Sequence, residues 1–522
     1  MVDLMETAAP RGIREGFDLT GAPLDTMDVR FVNGQMYRRL VPILGGGRVP
    51  RTPPPAWLVR TVFALHPGLR KRVRTAATAL EDRTWRDEAD RWEQRWRPEL
   101  VATNRRLAAF DVVAATSVEL ANHLAETLDH AERAMVLHFR LHISDLGPIA
   151  LLLDHAAEWD LDQAEVMAAL AGASPATTAP QEALRPLARE LDSLGVTATS
   201  LADVSGAGEV AASLLDGYLL EYGTRLTTGY DVTDLTLTEL PELIVSSLSD
   251  PRLLGPTSAA EDAVRRGDAA LADLRVQVPV TDRARFDEVV DDARRLYGLR
   301  DENGPITAEW PCGILRTGML EAGRRLVAAS RLHRVDHVFD LRAVEMVGAL
   351  RGEPGPRADA VATRHRIRME RAQGDSPSHL GPAPSEPDLD ALPAPMRRMM
   401  RMSVNVVSLL EAEAELGLLE GTGIGSVAYR GTARVVADAD EALERCAPGD
   451  VVITRFTAPT FNTVLALAGA VVTEHGGLLC HTAVIARELG IPAVVGVSGA
   501  LDIADGAVVE VDPVAGIVHV VG

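Results

Sequence analysis

Six short runs of β-branched and small apolar residues crowd the last hundred positions of the chain: 433–437 (ARVVA), 451–454 (VVIT), 470–473 (AVVT), 493–495 (AVV), 507–511 (AVVEV) and 517–521 (IVHVV). Helical stretches lie between some of them, at 459–468 and 481–489. Strands joined through helices are joined by crossovers, so at least part of the pairing is parallel. The spacing predicts a compact α/β domain over 416–522. The chain before it has another texture. Residues 61–350 carry long helical periodicity, with Trp85, Trp92 and Trp96 at helical spacings suited to a core. The stretch Ser117–Ile149 reads as one helix or a pair broken near Gly147-Pro148. Residues 351–415 hold two Pro- and Gly-rich breaks, Arg351–Pro356 and Gly374–Pro395, which read as linker. A charged helix, Ala358–Gln373, lies between them, and its arginines at 364–371 are expected to form a solvated face. Residues 1–60 are mixed, with a strand expected over Asp28–Tyr37, and are expected to pack on the helical part. The fold class is therefore multidomain, α followed by α/β.

Charge narrows the partners. The 522 residues hold 53 basic and 74 acidic side chains, a net charge of −21. A polyanion is repelled on average, so neither nucleic acid nor an anionic membrane is expected as a partner. Aromatic residues are 4%, too few for a base-stacking platform. Lys71 is the one lysine in the chain, which leaves no lysine for a GxxxxGK[ST] phosphate loop. Cys312, Cys446 and Cys480 form no CxxC pair, so no zinc site or disulfide framework is expected. With no leader-like start and no apolar run of about 18 residues, a cytoplasmic protein is expected.

The chemistry concentrates in Thr473–Gly496 (TEHGGLLCHTAVIARELGIPAVVG). A strand is expected to end at Thr473. Gly476-Gly477 permits a tight turn with positive φ. A helix is expected from His481 to Leu489, with Gly490 as its C-cap and Pro492 preventing continuation. His481 thus sits at a helix N-terminus. Free N–H groups and the helix dipole there disfavour imidazolium and favour an anion. Such a histidine is neutral and nucleophilic near pH 7, and a phosphoryl group on its ring would feel the same stabilising field.

This stretch resembles the phosphohistidine, or mobile, domain of phosphoenolpyruvate-utilising enzymes. The matching residues are Gly476, Gly477, His481, Ala483, Val484, Ile485, Ala486, Arg487, Glu488, Gly490, Ile491, Pro492, Ala493 and Val494. Gly431–Val435, Gly449–Val452 and Thr457-Ala-Pro459 add weaker support. Leu479 stands where the phosphoenolpyruvate enzymes carry Thr or Ser, and Gly425-Ser426-Val427 replaces their Ser-Pro-Gly turn. The aliphatic residue is similar to the rifampin phosphotransferase and phenylphosphate synthase branch. Upstream, Ala293–Asp301, Glu321–Leu326 and Asp336–Leu341 with Glu345 resemble the central region of the rifampin type. Tyr222-Gly-Thr-Arg225 resembles its Gly-His-Arg, with Thr224 in the place of histidine.

The resemblance implies a phosphotransferase in which His481 carries the phosphoryl group. Gly476, Gly477, Thr482 and Arg487 would serve the phosphate and its loop. The acceptor would be a hydroxyl of a small organic molecule held by the helical part. No ATP-grasp or phosphoenolpyruvate-binding domain is recognised, so ATP and Mg²⁺ are expected through a separate ATP-grasp partner. No metal site is expected in this chain. His138 and His142, four apart on one helix face, and His155 are candidates for the acceptor pocket; the HExxH glutamate is missing. Cys480 is expected to be a packing residue. Two other readings stay open. One is a lyase or dehydratase using phosphorylation–elimination or acid–base chemistry. The other is a non-enzymatic binding or regulatory subunit.

Overall fold

A computed structural model describes residues 2–43, 55–227, 231–372, 374, 376, 377, 379–381, 388–411, 419–457 and 461–521. The chain divides into two compact units. One comprises Met1–Ser144, Tyr230–Thr233 and Pro305–Arg401, and the other Asp145–Gly229, Asp234–Gly304 and Met402–Gly522. Their main helices are α1 (Val2–Thr20), α2 (Ser117–Leu141), α3 (Leu146–Glu158), α4 (Pro175–Ser193), α5 (Ala259–Gln277), α6 (Arg283–Gly304), α7 (Trp310–Ala328), α8 (Ala358–Ala372) and α9 (His481–Leu489). The strands are β1 (Leu24–Val32), β2 (Gln35–Pro42), β3 (Thr422–Ile424), β4 (Tyr429–Val435), β5 (Val451–Thr454), β6 (Ala470–Thr473), β7 (Ala493–Val495), β8 (Val508–Asp512) and β9 (Ile517–Val520).

In the first unit, α2 begins at a capping box. The Thr116 hydroxyl accepts from the Glu119 amide at 3.2 Å, and the Glu119 carboxylate accepts from the Thr116 amide at 2.8 Å. Leu120, Leu124, Ala131 and Met135 form its buried stripe at helical spacing. Leu120 and Leu124 pack with Leu315, Met319 and Leu326 of α7. α1 lies close against α2, because a Cβ on Gly12 would stand 2.2 Å from the Val136 carbonyl oxygen. The strand expected over 28–37 is a hairpin. Asn33 (φ 50°) and Gly34 (φ 81°) reverse the chain between β1 and β2, as an Asn-Gly pair does most readily. Trp85 and Trp92 are core residues. Trp96 is half-buried, with the Arg140 guanidinium 5.0 Å from its ring centroid. The arginines of α8 are not simply solvated. Arg364 pairs with Glu345 at 2.7 Å and Arg368 with Asp340 at 2.8 Å. Part of the Pro-rich stretch 374–395 lies outside the described residues.

The break between α2 and α3 falls at 142–145, earlier than the Gly147-Pro148 expectation. Pro148 belongs to the first turn of α3, where a missing N–H costs no intrahelical bond. One 18-residue window within Ser117–Glu158 is long and apolar enough to cross a membrane, and half of it is buried inside the protein.

The second unit contains a seven-stranded sheet of order β3-β7-β6-β5-β4-β8-β9. β4 through β7 pair in parallel, as the crossover spacing requires; β3, β8 and β9 pair antiparallel. β5 and β6 are buried at every position because both faces are covered. On one face, Val452, Val471, Ala493 and Val495 pack with Ala483, Ile485 and Ala486 of α9. On the other, Val451, Ile453, Val472 and Val494 pack with Val497, Ile503 and Val509. The three-residue strand β3 had no signal in the sequence. Of the helix expected over 459–468, Asn462–Leu465 is α-helical, and residues 458–460 lie outside the described residues.

Candidate active site

The site forms where β6 ends and α9 begins. Gly476 takes φ 131°, and a Cβ there would stand 2.8 Å from the Cys480 Sγ. The turn therefore closes over the thiol only with glycine at this position. Cys480 is the N-cap of α9, and burial raises its thiol pKa. It packs and is not poised as a thiolate. At the far end, Gly490 closes the helix at φ 68°.

His481, half-buried, opens α9. Its Nε2–H donates to the Asn462 Oδ1 at 2.7 Å, and its Nδ1 accepts from the Thr457 hydroxyl at 2.8 Å. The Thr482 hydroxyl donates to the Thr457 oxygen at 2.6 Å. Both ring nitrogens are thus oriented, and the ring is held without a charged neighbour. Desolvation pushes its pKa down to about 3. The expected neutral ring is present, but burial is its cause. The Asn462 Oδ1 only accepts, so the proton stays on Nε2 and the Thr457 hydroxyl donates to Nδ1. Thr454 and Thr473, register partners at the ends of β5 and β6, are fully buried on the sheet face that α9 covers. Their hydroxyls have no hydrogen-bond partner among the described residues.

Arg487 reaches the loop that leads into α9. One of its guanidinium nitrogens donates to the Leu478 carbonyl, and the other lies 3.3 Å from the Tyr297 hydroxyl of α6. Glu488 turns into the protein, where both carboxylate oxygens lie 3.1 Å from the Gly172 amide. Burial, and then Asp301, push its pKa up to about 8. Asn462 carried no signal of its own, and Tyr297 fell within the Ala293–Asp301 resemblance without an assigned role, since their meeting with α9 is purely tertiary.

The upstream histidines are divided between the two units. In the first unit, His138 Nδ1 lies 2.9 Å from the Thr307 hydroxyl, and His142 Nε2 lies 3.1 Å from His138 Nε2. Thr307 belongs to a π-helical turn, Pro305–Glu309, a geometry common at functional sites. His155 belongs to the second unit. Its Nδ1–H donates to Glu158 at 3.0 Å, and its Nε2 accepts from Arg285 at 2.9 Å. That pairing suits a structural residue. Among the described residues, no three His, Cys, Asp or Glu side chains converge as a metal site. A cavity of about 480 Å³, bordered by Arg252, Tyr429, Gly449, Gly469 and Pro492, opens at the N-terminal ends of the parallel strands, away from His481.

Residues 446–516 match the family model of the PEP-utilising enzyme mobile domain. Phosphoenolpyruvate synthase of Pseudomonas aeruginosa (strain UCBPP-PA14) is 45% identical over 86 residues, 16% of this chain and 11% of that protein. An uncharacterized protein of Mycobacterium tuberculosis (strain ATCC 25618 / H37Rv) is 32% identical over 209 residues, 40% of this chain and 22% of its own. Rifampicin phosphotransferase of a Streptomyces species is 32% identical over 311 residues, 56% of this chain and 32% of that enzyme. The chain spans less than two thirds of each of these relatives.

Proposed function

We propose that this chain, whose residues 446–516 form a mobile domain of the PEP-utilising kind, is a phosphotransferase that carries a phosphoryl group on His481. The observation that carries the reading is the neutral imidazole at the start of α9, aligned through both ring nitrogens. In the first half-reaction, the lone pair of the unprotonated ring nitrogen of His481, released from the Thr457 hydroxyl, attacks the donor phosphorus. The N–P bond forms as the bond to the nucleotide leaving group breaks, and a ring proton is retained on the other nitrogen. In the second, an acceptor hydroxyl attacks phosphorus, the N–P bond breaks, and the hydroxyl proton passes to a base. The helix N-terminus stabilises the charged phosphoryl group between the two steps. Carrying the group covalently keeps it from water and makes the transfer effectively intramolecular.

ATP and Mg²⁺ act on a separate ATP-grasp partner in this reading. The acceptor is a small organic molecule bound by the helical part. The similarity to rifampicin phosphotransferase over more than half of the chain supports that assignment. His138, hydrogen-bonded to Thr307 and next to His142, is the first base to test. The experiment is acid-labile ³²P incorporation from β- and γ-labelled ATP, with and without an ATP-grasp partner and with His481→Ala as control. Label that needs the partner and is lost in the variant, then chases onto an alcohol, supports the proposal. No label under any pairing, in a protein that still binds or converts a small molecule, would overturn it.

A further inference from the structure

The Ala486-Arg487-Glu488 segment serves a purpose that phosphate chemistry does not use. α9 presents three anchors at its C-terminal end. The Arg266 guanidinium of α5 donates to the Arg487 carbonyl at 2.7 Å and stands against Gly490. A cation there satisfies the otherwise unpaired carbonyls of a helix end and complements its dipole. Glu488, 1% exposed, closes on the Gly172 amide, with the Ser174 amide adding a second donor. The loop that offers these amides is itself fixed. A Cβ on Gly267 of α5 would stand 2.1 Å from the Ala171 oxygen, and one on Gly298 of α6 would stand 2.4 Å from the Ala173 oxygen. The third anchor is Arg487, 8% exposed, which joins the Tyr297 hydroxyl to the Leu478 carbonyl.

Leu478 belongs to the Gly476–Leu479 turn that leads into Cys480 and His481. One guanidinium therefore ties the turn before the reactive histidine to a side chain of α6. We propose that Arg487 is a positioning residue that couples seating of α9 on α5, α6 and the 171–174 loop to the geometry of the turn carrying His481. The seating surface is the Arg266–Gly172–Tyr297 face of the helical segment. When Tyr297 is engaged, the guanidinium is oriented and the Leu478 carbonyl is held. When the contact is lost, Arg487 has one partner instead of two, and the turn loosens with it. This inference rests on the phosphocarrier reading for its consequence, though not for its geometry.

The test needs no phosphate donor, so its failure is separable from failure of the carrier reading. Tyr297→Phe removes one hydroxyl from the full chain and keeps the ring that fills the core. Amide hydrogen exchange of residues 476–481 is measured in the parent, in Tyr297→Phe and in Arg487→Met. Circular dichroism and melting temperature serve as controls on folding. The ¹⁵N signals of the His481 ring, assigned with His481→Gln, are recorded alongside. Exchange across the turn is expected to rise about tenfold in Tyr297→Phe, roughly the effect of one charge-assisted hydrogen bond. It should rise further in Arg487→Met, and the His481 signals should shift in both. A turn that exchanges at the parent rate in Tyr297→Phe, while Arg487→Met loosens it, would reduce Arg487 to a brace internal to its own helix and overturn the proposal.

Discussion

Replacing Glu488 by glutamine should remove a pH dependence built into the second unit. The carboxyl is buried on the Gly172 and Ser174 amides and faces Asp301 of α6, Arg266 of α5 and its own neighbour Arg487. Burial dominates and Asp301 adds to it, so the pKa moves from 4.5 to about 8. The unfolded chain then releases this proton from about pH 4.5, while the folded chain holds it to about pH 8. Stability present at low pH is lost as pH rises through that window. That interval corresponds to a ceiling of about 5 kcal/mol, with a local slope of up to about 1.4 kcal/mol per pH unit. The glutamine side chain has nearly the same shape, keeps an acceptor for the Gly172 amide and does not ionise. Urea unfolding of the full chain at pH 5, 6, 7 and 8 measures the difference. The variant should gain on the parent steadily and be the more stable protein by several kcal/mol at pH 8. Parallel stability curves for the two proteins would refute the assignment of a retained proton to Glu488.

Other outcomes follow from the same geometry. The ring signals of His481 should not titrate between pH 5 and 8, because its pKa lies near 3. Its contribution to stability should instead fall as pH drops below about 6.5, where the unfolded chain takes up a proton. Two-dimensional ¹⁵N spectra across that range check the first point. Thr457→Val strips the shared partner from His481 and from the buried Thr482 hydroxyl, and should cost about 1–3 kcal/mol, read as a lower melting temperature. Gly423→Ala puts a Cβ 1.8 Å from the Pro513 carbonyl oxygen, so β3 must part from its neighbours. A loss of about 1–3 kcal/mol and faster amide exchange at 422–424 are expected.

Much of the segment around His481 is legible without coordinates because its determinants are local. Gly476 needs positive φ, Gly490 ends α9, and the run from His481 to Leu489 keeps helical spacing; each acts within a few residues of itself. The parallel order of β4 to β7 follows for a similar reason, since a strand–helix–strand spacing leaves few ways to bury both faces. The Asn33-Gly34 reversal is also local, but the alternation on either side masks it when read as one strand. The ion pairs of the α8 arginines escape a linear reading because Glu345 and Asp340 lie about twenty and thirty residues upstream, and no periodicity joins them.

Local chemistry along the chain is enough to put a histidine at the start of a helix at the tip of an α/β domain, beside a glycine turn. What surrounds that histidine, and what its helix is seated on, comes from contacts between distant parts of the chain. Asn462, which opens a short helix, and Thr457 set its tautomer from another part of the chain, and burial keeps its ring neutral. Tyr297, Arg266 and Gly172 meet the far end of α9 from nearly two hundred or more residues away. Capping and turn chemistry act over a few bonds of the chain, so they can be read along it. Desolvation and hydrogen bonding depend on which distant groups share a volume, and packing alone decides that.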